Sequence, residues 1–244
     1  MPKRVIKKIL NNFGYEIRRK DIVDTFFQID PLFNSLYKEA QTKTQMESSD
    51  NILRRQRHYV LNYLLRNGDL ENGDVCEVGC WRGLSAYQIA TYLKTQDIDV
   101  VFHIFDSFEG LSEIESVDRF ENEKQDLKSI REQFACSLEK VQENMKEFNF
   151  IKYYKGWVPE RFPEVKDKRF SFVHIDVDLY QPTYDSFRFF YPRLIRDGLM
   201  VFDDYGCIHF PGAKRAIDQC VAMLDHPFFI PLPSGQAFLI KNQN

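Results

Sequence analysis

Two pairs of aspartates each follow an apolar segment that has the length of a β-strand. They occur in His174-Ile175-Asp176-Val177-Asp178-Leu179-Tyr180 and in Phe202-Asp203-Asp204-Tyr205. Side chains two positions apart in an extended segment point the same way, and two carboxylates about 4 Å apart repel by about 4 kcal/mol at an effective dielectric constant near 20. A hard cation such as Mg²⁺ or Ca²⁺ would offset this repulsion. Asp178 or Asp204 could instead cap a helix, but two such pairs favour a metal or catalytic site.

A second set of candidate residues suits an adenosine-containing cofactor. The segment Glu77-Val78-Gly79-Cys80-Trp81-Arg82-Gly83 follows one predicted strand, and Asp106 ends the next. Glycines allow a ligand to approach the backbone closely, and an acid at the end of the second strand commonly accepts hydrogen bonds from ribose hydroxyls. The loop lacks the GxGxxG pattern of a pyrophosphate site. Together these features favour S-adenosylmethionine over NAD.

The elements that would position these residues alternate between strands and helices from residue 74 onward. Apolar runs predict strands at Val75–Val78, Val100–Phe105, Phe150–Tyr154, Phe170–Ile175, Leu199–Phe202, Phe228–Leu232 and Ala237–Ile240. Helices are predicted at Leu84–Leu93, Ile130–Phe148, Tyr184–Leu194 and Ala213–Leu224, with a loop or lid at Ser112–Lys128. This order predicts an α/β fold with a doubly wound, mostly parallel seven-stranded sheet and a closing antiparallel hairpin. Ligands of such sheets bind at the carboxyl ends of the strands.

The N-terminal region differs from the rest of the chain. Residues 1–66 are predicted to form a basic helical arm with lead-in helices, and residues 67–244 a cofactor-binding domain. Within Met1–Lys20, basic residues flank an apolar helical face. This arm could pack on its own domain, pack on a sister subunit in a homo-oligomer, lie on an anionic membrane surface, or make none of these contacts.

Composition excludes several classes of protein. The formal charge of −3 and the pI near 6.0 give no general attraction to nucleic acid. The sequence contains no run of eighteen apolar residues, so it predicts no membrane-spanning helix. The five cysteines are odd in number and form no CxxC pair, which favours reduced thiols over a disulfide framework. We therefore expect a cytoplasmic protein, with the arm as the feature that could bring it to the inner membrane face.

Several of these motifs resemble the TylF/macrocin-type O-methyltransferases, which act on sugar hydroxyls of natural products and related glycans. The matching segments are Glu77–Gly83, Asp106-Ser107-Phe108-Glu109-Gly110-Leu111, Lys155-Gly156-Trp157, His174–Tyr180, Tyr191-Pro192-Arg193-Leu194, Asp203-Asp204-Tyr205 and Gly212-Ala213-Lys214-Arg215-Ala216. Their order and spacing cover roughly residues 50–240, with Val177 at a position where the family commonly has a small residue. The arm is not part of the resemblance.

The resemblance implies a class I, Rossmann-like methyltransferase fold with S-adenosylmethionine and Mg²⁺. By matching positions, it assigns Asp176 as general base and Asp178, Asp203 and Asp204 as metal ligands. It places Glu77, Gly79, Asp106 and Ser107 in the cofactor site, with Gly156 and Trp157 near the adenine. His174 and His209 are further candidates for proton transfer, although His174 also fits a buried structural histidine.

Other functions share some of these features. A metal-dependent glycosyltransferase would use the DxD pair Asp176 and Asp178, but it would not explain the glycine loop and Asp106. A catechol-type O-methyltransferase uses similar metal chemistry on an aromatic diol, and a non-catalytic partner protein could keep the fold. We therefore expect Mg²⁺-dependent methyl transfer to a sugar hydroxyl of a surface glycan, a lipid-linked glycan or an antibiotic sugar.

Overall fold

Seven strands form a single sheet in the order β3-β2-β1-β4-β5-β7-β6. The computed structural model describes residues 27–119 and 127–242, with the backbone alone at residue 127. The strands are β1 Asp74–Val78, β2 Phe102–Asp106, β3 Ile151–Lys155, β4 Phe170–Ile175, β5 Leu194–Phe202, β6 Phe228–Pro231 and β7 Ala237–Ile240. Strands β1 to β5 are parallel, and β7 runs antiparallel to β5 and β6. The predicted doubly wound sheet with a C-terminal antiparallel hairpin is confirmed.

Seven α-helices lie in the described residues. They are α1 Pro31–Thr44, α2 Ile52–Asn67, α3 Leu84–Thr95, α4 Leu127–Gln133, α5 Leu138–Asn144, α6 Tyr180–Phe190 and α7 Pro211–Val221. Asp30 starts α1 by accepting a hydrogen bond from the backbone N–H of Phe33 at 2.9 Å, and Asn51 does the same for α2. None of the helices in the described part of the chain is long and apolar enough to cross a membrane.

The sheet separates two apolar cores because alternate residues of its strands point to opposite faces. Val75, Phe172 and Val201 pack on one face with Leu61 and Leu65 of α2. On the other face, Val78, Phe105, Val173 and Phe202 pack with side chains that include Phe187 and Phe190 of α6. Each fully buried phenylalanine contributes about 1.5–3 kcal/mol, so both helix layers are held firmly against the sheet.

The strand register places four strand ends at one edge. Val78 pairs with Phe105 on one side and with Ile175 on the other, and Ile175 pairs with Phe202. The strand order reverses between β1 and β4, which is where ligands of open α/β sheets bind. Phe202 also pairs with Ala237, so the β6–β7 turn reaches the same edge.

Some boundaries differ from those predicted from sequence. The predicted helix Ile130–Phe148 is two short helices, because Ser137 accepts a hydrogen bond from the Lys140 backbone and begins α5 as a new helix. Helix α6 begins four residues before the predicted start, at Tyr180, and ends before Pro192. The arm at residues 1–20 and part of the predicted lid lie outside the described residues. The division between residues 66 and 67 stays a prediction.

Candidate active site

A cavity of about 520 Å³ opens at the edge where the strand ends meet. Its walls come from the loops after β1 to β5, from one face of α2 and from residues of α3 and α4. Both predicted half-sites line it: Gly79, Asp106, Ser107 and Trp157 of the cofactor set, and Asp176, Asp178, Asp203 and Asp204 of the acid set. His174 and His209 line it too, whereas Glu77 and Gly156 do not. The structure therefore brings the two half-sites into one space.

Gly79 is where the two halves touch. Its φ is +83°, and a Cβ built on it would lie 1.9 Å from the Asp176 carbonyl oxygen. Only glycine allows the loop after β1 to pass this close to the loop after β4. The first glycine of the Glu77–Gly83 loop thus serves backbone packing at the site.

Asp106 holds the glycine loop in shape. Its Oδ2 accepts hydrogen bonds from the backbone N–H groups of Cys80 at 2.7 Å and Trp81 at 3.1 Å, and its Oδ1 accepts one from Phe108 at 2.7 Å. A carboxylate has about four acceptor positions, so Oδ1 can accept a further hydrogen bond. Asp106 can therefore support the loop and contact a ligand at the same time.

Ser107 and Gly156 stabilise the neighbouring turns. The Ser107 hydroxyl donates to the Gly110 carbonyl at 2.8 Å and accepts from the Glu109 backbone N–H at 3.1 Å. The backbone N–H of Gly156 donates to the Asp106 carbonyl at 3.0 Å. These contacts fix the end of β2 against the loop after β3, which carries Trp157.

Glu77 contacts a histidine and does not line the cavity. Its side chain is fully buried, and its Oε1 lies 2.8 Å from Nδ1 of His174. Burial alone would lower the pKa of His174, but the carboxylates of Asp203 and Glu77 raise it to about 10. The imidazolium therefore offsets the buried charge of Glu77, as a buried acid requires.

Three of the four aspartates form a compact cluster. Carboxylate oxygens of Asp176, Asp178 and Asp204 lie within 4.8 Å of one another. Burial and the neighbouring acids raise the pKa of Asp176 and Asp178 well above the usual range, and that of Asp204 to about 6. Asp178 has a φ of +60°, and its backbone N–H donates to Asp204 Oδ2 at 3.0 Å. A left-handed conformation at a residue other than glycine stores strain, which is common at functional sites.

Asp203 lies beside this cluster and has partners of its own. Its Oδ2 accepts from Nη1 of Arg57 at 2.9 Å, and its Oδ1 accepts from Nε2 of Gln236 at 2.8 Å. Burial opposes ionisation, but His174 and Arg57 hold the pKa of Asp203 below its usual range. Asp203 is thus a fixed anion, whereas the other three acids repel one another.

Sequence reasoning missed the basic and polar residues that complete the site. Arg54, Arg57, His58 and Leu61 line the cavity from α2, and their spacing of three and four residues is that of one helix face. This spacing was visible in the sequence. Gln236 had no comparable signal, because the β6–β7 turn reaches the site only through the pairing of β5 with β7.

Comparison with known proteins agrees with the resemblance. Residues 55–223 match the family described as Macrocin-O-methyltransferase (TylF). The chain is 27% identical over 158 residues to demethyldecarbamoylnovobiocin O-methyltransferase of Streptomyces niveus, a match that covers 63% of this chain and 60% of that relative. It is also 27% identical over 228 residues to 8-demethyl-8-(2,3-dimethoxy-alpha-L-rhamnosyl)-tetracenomycin-C 4'-O-methyltransferase of Streptomyces olivaceus, covering 88% of this chain and 80% of the relative.

Solved structures show the same fold. The structure of the O-methyltransferase NovP superposes with a TM-score of 0.63 at 23% identity, covering 78% of this chain and 81% of NovP. The predicted class I methyltransferase fold is confirmed.

Proposed function

Because the chain belongs to the Macrocin-O-methyltransferase (TylF) family, we propose that it transfers a methyl group from S-adenosylmethionine to a sugar hydroxyl of a glycan or glycosylated metabolite. The single observation that supports this best is the shared cavity, in which the glycine loop and Asp106 face the same space as the four aspartates. The Streptomyces olivaceus relative is named for methylation of a rhamnosyl group on tetracenomycin. A sugar acceptor fits that similarity.

The cofactor would be bound by residues that line the cavity. We assign contacts with S-adenosylmethionine to Gly79, Asp106, Ser107 and Trp157. Glu77 and Gly156 would support the cofactor site indirectly, Glu77 through His174 and Gly156 through the Asp106 carbonyl.

The acid cluster fits a divalent cation, and we propose Mg²⁺. Oxygen-only ligands suit this ion, and the mutual repulsion of Asp176, Asp178 and Asp204 gives the site a reason to bind a cation. The proposed ligands are Asp178, Asp203 and Asp204. Asp203 would bind the cation through an oxygen that also accepts a hydrogen bond from Arg57 or Gln236. The two lone pairs of each carboxylate oxygen allow both contacts.

Asp176 is the proposed general base. Its carboxylate lines the same cavity as the proposed metal ligands, where it could remove a proton from a sugar hydroxyl as the methyl group moves. A bound divalent ion would lower the pKa of that hydroxyl. The sulfonium leaves as a neutral thioether, so in-line placement of the two substrates in one cavity accounts for a large part of the rate.

Mass spectrometry of glycans tests the proposal directly. Cells with the intact gene should carry one sugar that is heavier by a methylene than in cells without it. A gene encoding Asp176→Asn should not restore the heavier sugar, although the protein is present. Identical glycans and identical glycosylated metabolites in cells with and without the gene would contradict a sugar acceptor.

A further inference from the structure

Two arginines among the described residues line the cavity, and they differ in what their charge contacts. Arg57 pairs with Asp203 at 2.9 Å. Arg54, nearly one turn earlier on α2, has no ion pair with any carboxylate in the described part of the chain. Its Nη1 donates to the Ser49 carbonyl at 2.7 Å, and its guanidinium carbon lies 5.8 Å from the Trp81 ring centre. A guanidinium has five N–H donors, so Arg54 keeps charge and donors for a ligand.

His58, four residues after Arg54, presents a fixed donor to the same cavity. Asn62 Nδ2 donates to Gln88 Oε1 at 2.7 Å, which sets the orientation of the Gln88 amide. Gln88 Nε2 then donates to the Leu84 carbonyl and to His58 Nδ1, at 2.8 and 3.0 Å. Because Nδ1 accepts, the ring hydrogen of His58 is on Nε2. Burial lowers the pKa of His58 to about 3, so the ring is neutral. No described residue accepts a hydrogen bond from Nε2.

The start of α3 adds donors at this corner. Gly83 is the N-cap of α3 and has no side chain to cap it, and the first turn contains no acid. Ser85 in that turn is 6% exposed and lines the cavity. Its hydroxyl has no hydrogen-bond partner within residues 27–119 and 127–242. The N-terminus of a helix attracts anions through its unpaired N–H groups. The Asn62–Gln88 hydrogen bond joins α2 to α3 here.

We infer that this corner, formed by Arg54, His58 and Ser85, binds the carboxylate of the amino-acid tail of S-adenosylmethionine. The inference rests on the proposed function. A guanidinium with neutral N–H and O–H donors is a strong donor set for a carboxylate. The aspartates that line the cavity would repel that carboxylate, and the charge of Arg57 is already committed to Asp203. Arg54 is therefore the cavity arginine that can attract it.

Calorimetric titration with two related ligands tests the inference. S-adenosylhomocysteine has the amino-acid tail, whereas 5′-methylthioadenosine has the same adenosine and sulfur without it. Wild-type protein should bind S-adenosylhomocysteine more tightly. Arg54→Gln should weaken its binding by about tenfold or more and leave 5′-methylthioadenosine unchanged. Ser85→Ala should show the same selectivity with a smaller loss.

Arg82→Gln is the matched control. Arg82 lies 5.6 Å from the centre of the same Trp81 ring, but it is exposed and does not line the cavity. This variant should bind both ligands as wild type does. Equal weakening of both ligands by Arg54→Gln and Ser85→Ala, or no weakening by either, would overturn the inference. If wild-type protein binds S-adenosylhomocysteine no more tightly than 5′-methylthioadenosine, the inference is overturned but the proposed function is not. If it binds neither ligand, the proposed function is overturned as well.

Discussion

At the scale of single residues, the site combines features that the sequence reveals with others that it hides. The spacing of Asp176 and Asp178 predicted carboxylates on one side of a strand end, and the structure places both in one cluster with Asp204. The separate position of Asp203 could not be predicted, because its partner Arg57 is 146 residues away in the chain. Residue types therefore predicted a group of acids at this edge of the sheet, while the folded contacts divided the acids into a cluster and a paired anion.

Gly79 and Gly83 allow a matched test of close backbone contact. Both have positive φ, but a Cβ on Gly83 would meet nothing closer than 3.7 Å, whereas one on Gly79 would lie 1.9 Å from the Asp176 carbonyl oxygen. Gly83→Ala should cost roughly 1–2 kcal/mol from backbone strain alone. Gly79→Ala should cost more than about 3 kcal/mol, because the β1 and β4 loops must separate. Equal losses in chemical denaturation would contradict this close contact.

Asp176→Asn and Asp178→Asn test the division of roles among the acids. Asp176→Asn should keep cofactor and metal binding but lower turnover by about 100-fold or more, as expected for loss of a general base. Asp178→Asn should weaken metal binding measured by calorimetry. If Asp176→Asn loses the metal and Asp178→Asn keeps it, the two roles are exchanged.

Metal affinity should depend on pH because protons compete for the same oxygens. Burial and Asp203 raise the pKa of Asp204 to about 6. Since this folded value is above the usual one, protonation stabilises the metal-free fold, and that stabilisation is lost as pH rises through about 6. Mg²⁺ should therefore bind more tightly at about pH 7.5 than at about pH 5.5. An affinity that does not change between these conditions would argue against Asp204 as a ligand.

At the scale of elements, α2 connects the N-terminal region to the edge of the sheet where the cavity opens. Arg57 Nε donates to the Ser234 carbonyl at 3.3 Å, and Gln236 Nε2 donates to the Arg57 carbonyl at 3.2 Å. With the Asp203 contacts, these bonds join α2, the end of β5 and the β6–β7 turn. The sequence predicted α2 as a helix but not which face meets the site, because a mixed polar and apolar pattern does not identify the partner of each side.

Two arginines of α2 provide a matched pair for this connection. Arg57 pairs with Asp203 inside the cavity, and Arg66 pairs with Asp30 at 2.7 Å outside it, and the side chains of both pairs are partly buried. Arg57→Gln should lower the free energy of unfolding by about 2–3 kcal/mol, because it leaves Asp203 beside three other acids without its cation. Arg66→Gln should cost less than about 1 kcal/mol, because no neighbouring acid among the described residues acts on the partly exposed Asp30. Equal losses in urea denaturation would show that Arg57 has no special role in joining these elements.

At the scale of the whole molecule, the alternation of strands and helices along the sequence was enough to predict a doubly wound sheet. Each strand has an apolar run, and parallel pairing then brings the loops after β1, β2, β4 and β5 to one edge. The break between α4 and α5 was missed because the helical pattern continues through Ser137, where local capping starts a new helix. The sheet does not specify the side chains around the cavity, so predicting the sheet does not predict the acceptor.

Calorimetric titration with S-adenosylhomocysteine and UDP-glucose, in the presence of Mg²⁺, tests most directly whether the shared cavity is a methyl-transfer site. S-adenosylhomocysteine should bind with a saturable signal, and UDP-glucose should give none, because the loop after β1 lacks a pyrophosphate-binding pattern. Asp106→Ala should remove most of the binding by releasing the Cys80 and Trp81 N–H groups. Binding of UDP-glucose without binding of S-adenosylhomocysteine would contradict the account.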